Sequence, residues 1–146
     1  MRTRVGILIC LFVGSAFMQG HAGSRRSSQS SDYGPEVRAF LDLMRQEEVE
    51  LDFQIKHSEI DRRDYLRSKS KIAILRQAVL GIVKQRGEDH VPELYVKAAP
   101  EVSQLVEDGL RALKGVKPGE AINRKWRYIG NVNKGEVFYI FERLMP

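Results

Sequence analysis

The stretch Lys125–Leu144, KWRYIGNVNKGEVFYIFERL, decides how this chain folds. It holds five of the twelve aromatic residues of the sequence: Trp126, Tyr128, Phe138, Tyr139 and Phe141. Asn133-Lys134-Gly135 reads as a three-residue hairpin loop, a type I turn with glycine in the left-handed position of a bulge. That loop pairs Val132 with Glu136, Gly130 with Phe138, Tyr128 with Ile140 and Trp126 with Glu142. An aromatic ring over a strand glycine supports this register. A two-residue Lys-Gly turn is the second choice, and it would regroup the rings. In the preferred register one face carries Trp126, Tyr128, Phe138 and Ile140. The other carries Ile129, Val137, Tyr139 and Phe141, with Arg127 and Arg143. A hairpin wet on one side would not be apolar on both. The rings are therefore expected to serve first as core. Tyr139, Phe141, Arg127 and Arg143 form the candidate partner-binding surface.

Two elements lead into this hairpin. A short strand is expected over about Glu93–Lys97. Pro100–Lys114 reads as a helix, with Pro100 in its first turn and Val102, Leu105, Val106, Leu110 and Leu113 on one face. Gly115 and Pro118 end it.

The preceding residues predict an antiparallel helical hairpin. Pro35 suits a first helical position, and Glu36 suits the dipole there. Val37, Phe40, Leu41, Met44, Leu51 and Ile55 keep a helical repeat up to about His57, although EVELDFQI (48–55) alternates as a strand would. Asp61 suits an N-cap, with Ile60 and Tyr65 spaced as a hydrophobic staple. The second helix then runs over about Arg62–Arg86, and Gly87 is placed to stop it. At 1.5 Å per residue the two helices measure about 34 and 38 Å, a near match that favours antiparallel pairing.

Ile60, Tyr65, Lys69 and Ile72 fit I-x4-[FY]-x3-K-x2-[LI]. Residues 53–75 thereby resemble, weakly and locally, the short helical oligomerisation (SHOCT) motif. The resemblance implies a role in bringing chains together. Glu59 stands where that motif has glycine, and Arg62 and Arg63 stand where it has acids. The whole chain otherwise resembles only uncharacterised exported bacterial proteins.

The first residues read as an address. Arg2 and Arg4 precede the apolar run Val5–Met18, and Gly20-His21-Ala22 supplies small residues for cleavage. Residues 1–22 are expected to be a secretory signal peptide. The alternative is an uncleaved N-terminal membrane anchor, although the run is shorter than the roughly 20 residues a bilayer span needs. Its removal lowers the formal net charge from +5 to about +3 and takes away Cys10, the one cysteine. Residues 23–34 read as a flexible Ser-rich linker. Residues 35–146 then form one small α+β domain: a helical hairpin at 35–86 and a β-α-β-β unit at 91–146.

No catalytic, cofactor-binding or metal-binding set stands out. His57 and His90 are far apart and belong to no ligand-spaced cluster. No G-x-S-x-G elbow or phosphate loop is present. Acid pairs such as Glu47-Glu48 point about 100° apart on a helix and do not form a dyad. The leading reading is a non-catalytic exported protein, periplasmic or secreted. It would act by protein–protein binding, with a second copy of itself or another envelope protein as partner. It needs no cofactor and no stable membrane span after cleavage. A winged-helix-like nucleic-acid-binding module is the alternative, similar in element order and in its basic pI. Export and the acids Glu101, Glu107 and Asp108 on its would-be reading helix oppose it, so no nucleic acid is expected. A small cell-wall hydrolase is third.

Overall fold

The computed structural model describes residues 32–144. The expected signal peptide and nearly all of the Ser-rich linker lie outside them. The elements are α1 (Pro35–Lys56), α2 (Arg62–Arg86), β1 (Leu94–Ala98), two 3₁₀ segments (Ala99–Gln104 and Gly109–Leu113), β2 (Ala121–Ile122), β3 (Trp126–Asn133) and β4 (Val137–Arg143). The four strands form one antiparallel sheet in the order β1-β4-β3-β2. The fold is α+β, with the N-terminal helical hairpin in place.

Residues 48–55 are helical, so helix propensity prevails there over the alternating pattern. Asp61 caps α2 as expected, accepting from the Asp64 amide at 2.8 Å, and Gly87 closes it at φ 69°. The start of α1 is capped from a distance. Gly34 has no side chain to offer, and the Asp89 carboxylate accepts from the Glu36 and Val37 amides, each at 3.0 Å. Glu36 reciprocates by accepting from the Val91 amide at 2.9 Å. Gly34 is required because a β-carbon there would collide with the Asp89 carboxylate. Tyr33, placed in the linker by sequence, packs on the Val37–Val79–Val83 cluster between the helices, so the ordered domain begins before Pro35.

α2 is the shared layer. One side meets α1 through Val79 and Val83, with Phe40, Leu41, Leu75 and Leu80 around them. Another side sets Ile74 and Ala78 on Ala98, Phe138 and Ile140 of the sheet. The opposite sheet face packs Trp126, Tyr128 and Phe141 against Val102 and Val106. Both faces are therefore covered. Phe138 and Phe141 are fully buried, and each contributes about 2–3 kcal/mol from apolar burial.

Two expectations are corrected. The helix over Pro100–Lys114 is instead two 3₁₀ pieces, parted where Asp108 (φ 68°) and Gly109 (φ 55°) turn left-handed. Asp-Gly is a turn dipeptide, and two consecutive left-handed residues cannot continue a right-handed helix. Val102 and Val106, both before the break, reach the aromatic face, while Leu110 beyond it stays exposed. The winged-helix reading loses its recognition helix with this break.

The hairpin register also differs. The loop is Lys134-Gly135-Glu136, closed by Asn133 paired with Val137, so Val132 faces Phe138 and Gly130 faces Ile140. A bulge between Tyr128 and Gly130 then sets Tyr128 against Phe141, Arg127 against Glu142 and Trp126 against Arg143. The aromatics are regrouped. Trp126, Tyr128, Tyr139 and Phe141 share the face under the 3₁₀ segments, and Phe138 goes with Ile140 to the α2 face.

Ion pairs tie α2 to the β unit. Arg67 donates to Glu136 through two nitrogens at 2.6 and 2.9 Å, and Lys71 reaches Glu101 at 2.6 Å. The Arg67 guanidinium holds the Glu136 carboxyl below the usual glutamate range. At Glu101 burial pushes upward, but the Lys71 ammonium and the Ala98 amide outweigh it and leave the carboxyl lowered.

Asp89→Ala is expected to cost about 1 kcal/mol by loss of the cap, read as a lower urea midpoint. A pH series tests the ion pairs. Both acids bind protons less readily folded than unfolded. Their contribution is therefore present above about pH 4.3 and is lost as pH falls through the lowered folded values. Urea unfolding at about pH 6 and about pH 3 should show a stability loss that the double variant Glu101→Gln/Glu136→Gln reduces.

Candidate functional site

The four residues singled out from sequence do not form one surface. Phe141 is fully buried, and Tyr139 is half-buried beside the Tyr128 ring at 6.5 Å. Both lie beneath the 3₁₀ segments, so Phe141 has no open side to present. Arg143 is exposed and turns to Glu93 at 3.3 Å. Arg127 belongs to the opposite face of the sheet, because the bulge places it across from Glu142.

Arg127 leads to the polar centre of the molecule. Glu142 is the one buried charged residue among those described, with 6% of its surface exposed. It follows Phe138 and Ile140 on the inward face of β4, where the alternation calls for an apolar residue. A carboxylate there is tolerated only when its oxygens are paired. Arg86, the last residue of α2, donates to Oε1 at 2.7 Å, and Arg127 of β3 donates to Oε2 at 2.9 Å. Three elements thus meet at one side chain: a helix end and two neighbouring strands.

These groups line a cleft of about 720 Å³ between the end of α2 and the sheet. Ile82, Gln85 and Ile129 supply further walls, and the Pro118-Gly119 turn closes one side. That turn is fixed to β3, because Gly119 donates to the Tyr128 carbonyl at 2.6 Å and Tyr128 donates back to the Glu120 carbonyl at 2.9 Å. Two guanidinium groups against one carboxylate leave a net positive charge in the cleft. A smaller cleft of about 350 Å³ lies between α2 and the hairpin loop, where Arg63 and Lys134 flank the Arg67–Glu136 pair.

The helical hairpin offers a second kind of surface. Val49 is 65% exposed and Phe53 49% exposed, one turn apart on the outer side of α1. The Phe53 ring lies 3.9 Å from the His57 ring. His57 ends α1 with Nδ1 on the Phe53 carbonyl at 2.9 Å, while His90 sits beside Glu36 at the other end of the same helix. Tyr65 and Lys69 of the SHOCT-like stretch both turn inward to Asp52 of α1, at 2.7 and 3.3 Å. These bonds hold the Asp52 carboxyl below its ordinary range, Tyr65 contributing most. Among the described residues no three His, Cys, Asp or Glu side chains converge on a metal-sized space. None of the described helices is long and apolar enough to cross a membrane.

The pairing at Glu142 predicts an asymmetry. Removing both cations by Arg86→Ala/Arg127→Ala strands a buried carboxylate and should cost about 3–5 kcal/mol. Glu142→Leu frees two guanidiniums that can turn to water and should cost no more than about 2 kcal/mol. Chemical unfolding of both variants checks the order. Comparison with protein-family models, curated proteins and solved structures finds no match to this chain, so the cleft and the α1 face are read from their own chemistry.

Proposed function

We propose that this is a non-catalytic exported protein that acts by self-association through the outer face of α1. The observation that carries this reading is the exposure of Val49 and Phe53 on a helix whose opposite side is committed to α2. Large apolar side chains one turn apart, rimmed by charge, suit a helix–helix contact. The charges favour a second copy as the occupant. At 100° per residue, Lys56, Arg45 and Asp52 fall along one flank of the Val49–Phe53 stripe, and Asp42 lies within the stripe one turn before them. When two copies pack antiparallel about a two-fold axis near Glu50, that flank faces itself. Val49 of each copy then rests on Phe53 of the other, Arg45 meets Asp52, and Asp42 meets Lys56. A two-fold contact of this kind is self-complementary, as a closed dimer requires.

The export part of the reading rests on residues 1–22: a basic start, an apolar run and a small-residue cleavage site. The non-catalytic part rests on the separation of the histidines and on the engagement of the buried acid in ion pairs.

Sedimentation equilibrium of the purified protein tests the association. A concentration-dependent dimer is expected. Phe53→Glu should make it monomeric with an unchanged circular dichroism spectrum, because Phe53 leaves the core undisturbed. Glu50→Gln should tighten the dimer by relieving the one like-charge meeting on the axis. A protein that stays monomeric at high micromolar concentration, or a dimer indifferent to Phe53→Glu, removes the proposal.

A further inference from the structure

We infer that the cleft at Arg86, Arg127 and Glu142 is a binding site for a carboxylate attached to an apolar group. The argument begins with what each guanidinium has left to give. Arginine carries five N–H donors in a planar fork. Arg86 spends one nitrogen on Oε1 of Glu142, and Arg127 spends one nitrogen on Oε2. Both side chains remain more than a third exposed, at 36% and 39%, and both line the cleft. The carboxylate that orients them is itself consumed: each of its oxygens accepts from one arginine, and its side chain is 8% exposed. Glu142 is therefore a positioning residue. It holds two forks side by side and cancels only one of their charges.

The surroundings select the ligand. A cleft of about 720 Å³ falls within the roughly 300–1,000 Å³ of small-molecule sites. Its charge is cationic, so the incoming group is an anion. Guanidinium forks match the planar geometry of a carboxylate. Ile82 and Ile129 give the walls an apolar character that a bare inorganic anion would not use, and the Gln85 amide can serve a neighbouring polar atom. The site is built before any ligand arrives. Its parts stand on a helix, two paired strands and a turn pinned by two backbone bonds to Tyr128, so little ordering cost remains for binding. A free organic acid and the terminal carboxylate of a peptide present the same chemistry.

Titrations of the purified protein, followed by NMR at the Ile82 and Ile129 methyls, test this inference. The probes are N-acetyl-leucine, N-acetyl-leucinamide, inorganic phosphate and acetyl-Ala-Ala-Leu. N-acetyl-leucine is expected to give saturable shifts in the millimolar range, the amide none, and phosphate a response at least tenfold weaker. Tenfold tighter binding of the peptide would identify a chain terminus as the source, and equal binding a free acid. Arg127→Lys, which keeps the charge and loses the fork, should weaken N-acetyl-leucine at least tenfold while the circular dichroism spectrum stays that of the folded protein. If that variant does not fold, Gln85→Glu, which sets a negative charge at the exposed rim, should give the same weakening. Absence of saturable shifts, equal response to acid and amide, or phosphate binding as well as N-acetyl-leucine would overturn the inference. None of these outcomes bears on association through α1.

Discussion

The extra residue in β3 between Tyr128 and Gly130 governs the β half of the molecule. In a strand the two faces alternate, so one inserted residue sends everything beyond it to the opposite side. Between the loop and the bulge, Val132 and Gly130 share the α2 face with Phe138 and Ile140. Beyond it, Tyr128 and Trp126 cross to the face of Phe141 and Tyr95, and Arg127 takes the position opposite Glu142. Without the bulge the residue facing that acid would be Tyr128. A phenol O–H cannot neutralise a buried carboxylate, so the acid would have lost a cationic partner. The bulge thus provides two things together. It gathers the rings into one cluster, with Tyr95 edge-on to Trp126 at 5.0 Å, and it brings a guanidinium to the one buried charge. Gly130, at φ 151°, follows the bulge in a conformation that a β-carbon would strain.

α2 carries this arrangement to the N-terminal half. It lies between α1 and the sheet, and its polar side chains reach both ways. Arg76 pairs with Glu48 and Lys69 with Asp52 of α1, while Arg67, Lys71 and Arg86 pair with Glu136, Glu101 and Glu142 of the β unit. Exposed pairs add little stability. Their directional value lies in fixing the rotation of a helix whose apolar residues Ile74 and Val79 must face different neighbours. The Asp89 cap closes the other end. It joins the start of α1 to the loop after α2, so the hairpin is held at its open side and not only at the turn.

The helical half was legible because its signals are local. Pro35, Asp61 and Gly87 mark ends within one turn of themselves, and apolar periodicity marks the faces. The cap by Asp89 was not legible, since it joins positions 53 residues apart. The false helix at 100–114 had a local warning in Asp108-Gly109, outweighed by a strong apolar spacing that served short 3₁₀ segments as well. β2 had no apolar run to announce it, and its turn is made by Asn123 and Arg124 at positive φ where glycine would have been the signal. Sequence offers Tyr139 and Phe141 as a partner surface because nothing local shows that the 3₁₀ segments cover their face. The cleft left one trace in the sequence: an acid at an inward position of an apolar strand, which demands a cation from elsewhere. Sequence placed Arg127 on the candidate surface but gave it the wrong neighbours, and nothing local pointed to Arg86.

The two surfaces that remain after the core is accounted for differ in kind. The outer face of α1 is apolar, convex and built from one helix, so its residues can change without disturbing the fold. The cleft is concave, with charged groups between apolar walls, and its central acid is also a structural element. On the two proposed readings, a change at Glu142 would alter folding and ligand recognition together, whereas a change at Phe53 would alter association alone. Variation is thus easier on α1 than in the cleft, where the only independent positions are those at the rim, such as Gln85. A protein built this way can adjust what its helical hairpin touches while the carboxylate site stays bound to the bulge that created it.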